Sequence, residues 1–281
     1  MLINCGYDIA YTLTAPTVLV LALRLRPELD GRLRSPENFT VTPVVQHEML
    51  SDVFGNRCVR LAAPSGLFEL RSDALVEDSG LPPPVVADAW EHGAEDLPAT
   101  VLPYLLASRY CEVDLMGHMA WNLFGSHPPG WARVQAVCDW VHSRLRFDHA
   151  AAQTTRTAVQ ACEERVGGCR DFTHLAITLC RSLNIPARFV SGYLGDIGVP
   201  RDPASMDFSS CMEVYLGNTW HIFNVRHNSR RIGYLPMAHG RDAADVALST
   251  HFGPHQLARF VVRTRAVEFA HAVEDAALAV A

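Results

Sequence analysis

Cys169 follows Gly167 and Gly168 and opens a segment in which Phe172, Leu175, Ala176, Leu179, Cys180 and Leu183 recur at helical steps. The glycine pair breaks the preceding segment, so the thiol stands in the first turn of a new helix. Free backbone N–H groups and the positive end of the helix dipole favour an anion there, and the thiolate is the nucleophilic form of cysteine. Cys180 lies on the apolar stripe of the same helix without either advantage and serves as an internal comparison. Cys5, Cys58, Cys111, Cys138, Cys162 and Cys211 are irregularly spaced, and no pair in the chain makes a CxxC motif, so these thiols are expected to be reduced core residues. The competing reading of Cys169 is the same: a small side chain packed beneath the glycine turn.

The elements that must position this thiol are legible in outline. With 281 residues, 49% hydrophobic and 19% charged, the chain can bury a core over one long or two ordinary domains. Its formal charge of −6, with no basic run, argues against a nucleic acid or an anionic membrane surface as partner. No apolar run approaches the ~20 residues that span a bilayer. The N-terminus lacks a basic-then-apolar export pattern, so a cytoplasmic location is expected. Residues 7–13, 18–23, 52–54, 58–61 and 67–70 read as strands, with turns at Gly55-Asn56 and Pro64-Ser65-Gly66. They predict an N-terminal antiparallel β domain over 1–80. Pro- and Gly-rich residues 81–100 read as a linker or extended arm. The second domain, 101–281, is expected to carry helices over 101–110, 131–146 and 158–165, the last capped by Thr154 or Thr155. The Cys169 helix ends at Asn184, ahead of Pro186, and strands are expected over 187–193, 208–216, 220–225 and 259–264. Helices followed by a sheet make the fold class α+β.

The run Gly167-Gly168-Cys169-Arg170-Asp171-Phe172, with His174-Leu175-Ala176 and Leu183-Asn184-Ile185-Pro186-Ala187-Arg188-Phe189-Val190-Ser191-Gly192-Tyr193, resembles the core motif of the bacterial transglutaminase-like superfamily. In that family a helix-capping cysteine is the nucleophile. Asp52-Val53-Phe54-Gly55-Asn56 and the β-rich start are similar to the β domain that precedes the catalytic domain in many bacterial members. The resemblance implies a papain-like core, in which a nucleophile helix packs on an antiparallel sheet that supplies a His and an Asp or Asn. It also implies a peptide or protein substrate. Without an HExxH, a paired CxxC or a carboxylate-rich calcium loop, no metal or cofactor is expected. Gly240-Arg241-Asp242-Ala243-Ala244-Asp245 also resembles family members and is read as a structural turn.

The family's His-Ala-Trp sequence falls on Ser209-Ser210-Cys211, so Ser209 occupies the histidine position. Its aspartate position falls on Asn224 in Asn224-Val225-Arg226-His227-Asn228. An Asn carbonyl can still orient an imidazole, as in Cys-His-Asn enzymes. A seryl hydroxyl does not titrate near neutrality and cannot replace a general base. His227, three residues past Asn224, is the first substitute to consider, and His174 and His221 follow. His174 lies about 500° around the helix from Cys169 at roughly 100° per residue, and His221 is on the opposite face of its strand from Asn224 by period-two alternation. Asp171, Glu213 and Tyr215 are expected to line the cleft. These residues are compatible with two functions. Cys169, His227 and Asn224 could carry cysteine-dependent acyl transfer on peptide or glutamine amides, as a protease or amidase with water and a transglutaminase with an amine. Alternatively, the loss at Ser209 and Asn224 leaves a catalytically degenerate module that binds a peptide or protein.

Overall fold

The structure, a computed structural model, describes residues 1–202 and 206–267. Alternating burial builds the first unit. β1 (Leu2–Leu13) turns Ile3, Cys5, Tyr7, Ile9, Tyr11 and Leu13 inward, and β2 (Thr17–Leu21) does the same with Leu19 and Leu21. β3 (Asn38–Thr42), β4 (His47–Ser51), β5 (Arg57–Ala63) and β6 (Gly66–Glu77) come next. β6 lies between β1 and β3, and β5 lies between β2 and β4, all antiparallel. Both sheets contribute to one apolar core. Residues 52–54, expected as strand, belong instead to the β4–β5 turn: Asp52 Oδ1 accepts the N–H groups of Phe54 and Asn56, each at 2.8 Å.

The arm after β6 is irregular, with short 3₁₀ turns at Ala94–Asp96 and Leu102–Leu105, and it is stitched to the helices and sheet of the second unit. Ala89 O accepts from Trp131 N, Trp90 O accepts from Gly217 N, and Glu91 pairs with Arg133 at 2.7 Å. The helix expected over 101–110 is not formed. The first helix is α1 (Val113–Phe124), which buries Met116, Ala120 and Phe124 but leaves Leu115, Met119 and Trp121 exposed. Apolar residues on both faces blur its period, and the sequence pattern does not reveal it.

α2 (Trp131–Arg144) and the two-residue β7 (Arg146–Phe147) lead to α3 (Ala158–Glu164). The cap of α3 is Thr157, not Thr154 or Thr155: its hydroxyl accepts from Gln160 N, and Gln160 Oε1 accepts from Thr157 N. β8 (Val166–Gly167) pairs with β7 and delivers the chain to α4 (Cys169–Ser182). β9 (Ala187–Tyr193), β10 (Ser209–Leu216), β11 (Thr219–Phe223) and β12 (Leu235–Gly240) form an antiparallel sheet in the order β11-β10-β9-β12, with α4 packed on β9 and β10. The α+β expectation is met.

The chain then turns back. β13 (Ser249–Phe252) pairs with β2, and β14 (His255–Ala266) pairs with β1 along almost its whole length. Residues expected to close a second domain over 101–281 therefore complete both sheets of the first unit. Strand pattern alone does not reveal which edge a late strand will join. No helix among the described residues is long and apolar enough to cross a membrane.

The two units share more than a chain crossing. Tyr193 of β9 and Leu235 and Met237 of β12 are buried in the sandwich core. At the β4–β5 turn, Asn56 is fully buried and copies a strand partner: its Oδ1 accepts from His239 N at 2.8 Å and its Nδ2 donates to His239 O at 2.7 Å. Arg26 also donates to this carboxamide oxygen, and Asp52 Oδ2 takes the second amide hydrogen. Replacing Asn56 by Ala leaves buried donors and acceptors on both units unpaired, so Asn56→Ala is expected to lower unfolding stability by about 3 kcal/mol. Urea denaturation followed by fluorescence checks this, and a change below about 1 kcal/mol would mean that the carboxamide does not join the units.

Candidate active site

The turn that carries Cys169 is fixed from beneath. Asp171 Oδ2 accepts Gly168 N–H at 2.8 Å and pairs with Arg156 at 3.3 Å. A Cβ on Gly167 would sit 2.6 Å from Asp171 Cβ, so only glycine fits there. Arg156, 2% exposed, also donates to Ala151 O and pairs with Glu164, which ties the 151 loop, α3 and the start of α4 into one unit. Asp171 was expected to line the cleft; it is buried and supports the turn. Burial raises its carboxyl above the ordinary range, against the pull of Gly168 N–H, Arg170 and Arg156.

Cys169 is partly exposed, whereas the other seven cysteines are buried. Burial pushes up the thiols of Cys5, Cys58, Cys111, Cys138, Cys180 and Cys211, the comparison Cys180 included. In α4 the N–H groups of Asp171 and Phe172 bond to Gly168 O, leaving those of Cys169 and Arg170 without a helical acceptor. The sulfur itself sits against the start of β10. Its S–H donates to Ser210 O at 3.4 Å, Ser210 Oγ lies 3.2 Å away, and Ser209 Oγ lies 3.8 Å away. Thr173, one turn along α4, donates to Cys169 O and stands 3.0 Å from Ser210 Oγ.

Nothing local in the sequence marks Ser210 and Thr173, because their meeting depends on how α4 crosses β10. The same holds for Tyr234. Its hydroxyl stands 2.9 Å from Val190 O and 3.1 Å from Ser209 O, pinning the strand end that presents Ser209.

No imidazole among the described residues is hydrogen-bonded to Cys169 Sγ. His227 and Asn224 do meet, but through the backbone: His227 N–H donates to Asn224 Oδ1 at 3.1 Å, so that carbonyl is engaged away from the ring. Burial, then Arg226 and Arg231, lower the His227 imidazole to about 4, with Asp196 and Asp202 acting in the opposite direction. The ring is therefore neutral at pH 7. His174 is a core residue: it stacks on Tyr110, its Nε2 accepts from Ala243 N, and burial holds it well below the ordinary imidazole range. His221 points to Leu216 O and packs edge-on against Trp131.

Glu213 pairs with Arg188 at 2.6 Å and lies 3.6 Å from His239, so its partners are on β9 and β12 rather than at the thiol. Tyr215 packs with Trp220 and His92. The 240–245 segment has the structure of a turn: Asp242 caps Ala244 and accepts from Tyr110 N, while Arg241 and Asp245 pair. The arrangement offers a nucleophile at a helix start with two free N–H donors, and two hydroxyls where a proton acceptor would have to be.

Residues 119–225 match the family model of the transglutaminase-like superfamily. An uncharacterized protein of Mycobacterium leprae is 26% identical over 192 residues, spanning 66% of this chain and 68% of its own length. The crystal structure of a putative cysteine protease from Cytophaga hutchinsonii is 29% identical, with a TM-score of 0.82 over 96% of this chain and 92% of its own.

The burial of these groups has two measurable consequences. In the native protein, iodoacetamide is expected to modify Cys169 at least about 100-fold faster than the buried cysteines, which react only when the fold opens. Peptide mass spectrometry reads this directly, and comparable labelling of Cys180 or Cys211 would overturn the assignment. For His227, the folded value near 4 lies below the ~6.5 of an unfolded histidine, so between those limits the unfolded chain binds the extra proton. Its contribution to stability is complete above pH ~6.5 and is lost as pH falls toward 4. Acid unfolding of His227→Gln, followed by circular dichroism, is therefore expected at lower pH than in the wild type; an unshifted midpoint would contradict the lowered pKa of the half-buried ring.

Proposed function

This chain is a transglutaminase-like superfamily protein, and from that premise we propose that it holds a peptide or protein segment at the Cys169 cleft without breaking or forming an amide bond. The observation that carries this reading is Ser209 Oγ, 3.8 Å from Cys169 Sγ, a residue that the sequence resemblance aligns with the family's histidine. Acyl transfer requires a group that takes the thiol proton as sulfur attacks the carbonyl and returns it to the leaving group. A seryl hydroxyl does neither near neutral pH. His227 is depressed to about 4, which makes it a poor proton acceptor as well, and Asn224 spends its carbonyl on the His227 backbone. The eight free cysteines suit a reducing compartment, in keeping with binding in the cytoplasm.

A second reading, cysteine-dependent acyl transfer of the protease, amidase or transglutaminase type, has one observation in its favour. Cys169 keeps partial exposure beside two N–H groups without helical acceptors, donors suited to a developing oxyanion. In that reading His227 swings to the sulfur and Asn224 releases the backbone to orient the ring.

Casein hydrolysis and incorporation of a fluorescent amine into casein separate the two. The chain contains no lysine, so it cannot cross-link to itself through a side-chain amine. The wild type is expected to match Cys169→Ala in both assays, while Ser209→His combined with Asn224→Asp raises Cys169 alkylation at pH 7 at least about 10-fold. Wild-type turnover that Cys169→Ala abolishes would overturn the binding reading in favour of the catalytic one.

A further inference from the structure

Arg170 follows Cys169 in the first turn of α4, where a cation is at odds with the positive end of the helix dipole. It makes no ion pair among the described residues: its guanidinium donates to Gln153 O and lies 5.0 Å from the centroid of the Tyr110 ring. Arg109, which is exposed, lies over the same ring at 4.8 Å and also has no carboxylate partner among the described residues. The two cations are therefore within about 10 Å of each other.

Their platform is fixed from the core. His174 stacks on the Tyr110 ring, Tyr110 N–H donates to Asp242 Oδ2, and the Tyr110 hydroxyl donates to Thr154 O at 2.9 Å. The 152–154 loop that receives this hydroxyl and the Arg170 guanidinium also packs against the glycine turn, where a Cβ on Gly168 would stand 3.7 Å from Ala152 Cβ. The arginine pair thus stands beside the turn that carries the thiol.

The carboxylates of the surrounding elements are engaged elsewhere. Asp171 and Glu164 pair with Arg156, Asp242 accepts from Tyr110 N and Ala244 N, Asp245 pairs with Arg241, and Glu112 accepts from Val159 N. Two like charges therefore share one ring without a carboxylate between them, next to the free N–H groups of Cys169 and Arg170, in a chain whose formal charge is −6. Positive charge concentrated against the net sign of the chain attracts an anion, and guanidiniums suit oxyanions because each offers parallel N–H donors. With hydrogen bonds of about 2.8 Å, one doubly charged group or two adjacent carboxylates reach both arginines.

We propose that Arg109 and Arg170, on the Tyr110 ring, select a peptide segment that carries two adjacent negative charges, from an acidic side-chain pair or a phosphoryl group, and hold it beside Cys169. This rests on the reading of that cleft as a peptide-binding site and adds the class of peptide it takes.

Fluorescence anisotropy of the full chain with labelled hexaglutamate, hexaglutamine and a glycine pentapeptide with a central phosphoserine tests the proposal, together with the rate at which iodoacetamide alkylates Cys169 in the presence of each. Hexaglutamate offers adjacent carboxylates in every register, so the spacing from the thiol need not be known. It is expected to bind at least about 10-fold more tightly than hexaglutamine and, at saturation, to slow Cys169 alkylation at least about 3-fold. Arg109→Gln and Arg170→Gln should each weaken hexaglutamate about 5- to 10-fold and leave hexaglutamine unchanged, and Arg109→Lys should lose less than Arg109→Gln. Tighter binding of the phosphoserine peptide than of hexaglutamate identifies a phosphoryl source, and weaker binding an acidic pair. If neither anionic peptide binds better than hexaglutamine, or if Arg109→Gln leaves their affinity unchanged, the proposal is overturned. Should Arg170→Gln disturb the glycine turn, Arg109→Gln, at an exposed position, still decides. Arginine-dependent binding that leaves Cys169 alkylation unslowed would overturn the link to the thiol, which tells a failure of the cleft reading apart from a failure of the arginine pair.

Discussion

The structure depends on one helix being buried on every face. From Asp171 to Ser182 each residue of α4 is buried, including six with polar side chains. Burying such groups unpaired is costly, so each must find partners, and those partners draw the rest of the core to the helix. Arg181, 1% exposed, donates to Ala187 O, Leu106 O and Arg241 O, joining the end of α4 to the start of β9, the arm and the 241 turn. Thr178 returns its hydroxyl to His174 O, and Ser182 reaches Val113 O at the start of α1. At the other end, Asp171 and Arg156 hold the glycine turn. With both ends anchored in this way, Cys169 has little choice of position, and its partial exposure results from where the anchored helix begins.

The β sandwich is part of the same construction. Its core takes side chains from β9 and β12, and Asn56 pairs with the β12 backbone as a strand would. β9 lies between β10 and β12, and Tyr234 bridges β9 and the β10 end that carries Ser209. The sandwich therefore bears on the thiol through the sheet rather than through direct contact. It also receives the last two strands of the described chain, so the first unit is completed only after the second has been threaded.

At the site itself, the groups that position the thiol and the groups that could move its proton lie in different places. The features that position a nucleophile are present: the glycine turn, the buried carboxylate beneath it and the unpaired N–H groups. The features that move a proton are not assembled on Cys169, where serine hydroxyls and a backbone carbonyl face the sulfur. A half-buried His227 with a lowered pKa and an Asn224 turned to the backbone fit the same pattern. A positioned thiol without an adjacent proton acceptor is the physical content of the proposed function.

Much of this was legible in the sequence because it is local. The glycine break before Cys169, the α4 stripe, the 187–193 strand and the Gly55-Asn56 turn each arise from residues within a few positions of one another, and the structure has all of them. The resemblance also aligned Ser209 and Asn224 with the family's histidine and aspartate positions. Sequence did not tell which partners the buried polar groups would take. Asp171 and Glu213 read as cleft residues because a carboxylate near a nucleophile in sequence looks like one near it in space; Arg156 and Arg188, from other elements, took them instead. Helix α1 hid behind apolar residues on both faces, and β14 crossed to β1 over more than two hundred residues. Local propensity and period set the elements, whereas the pairing of buried charges and of strand edges is decided by three-dimensional packing, because only there do the competing partners meet.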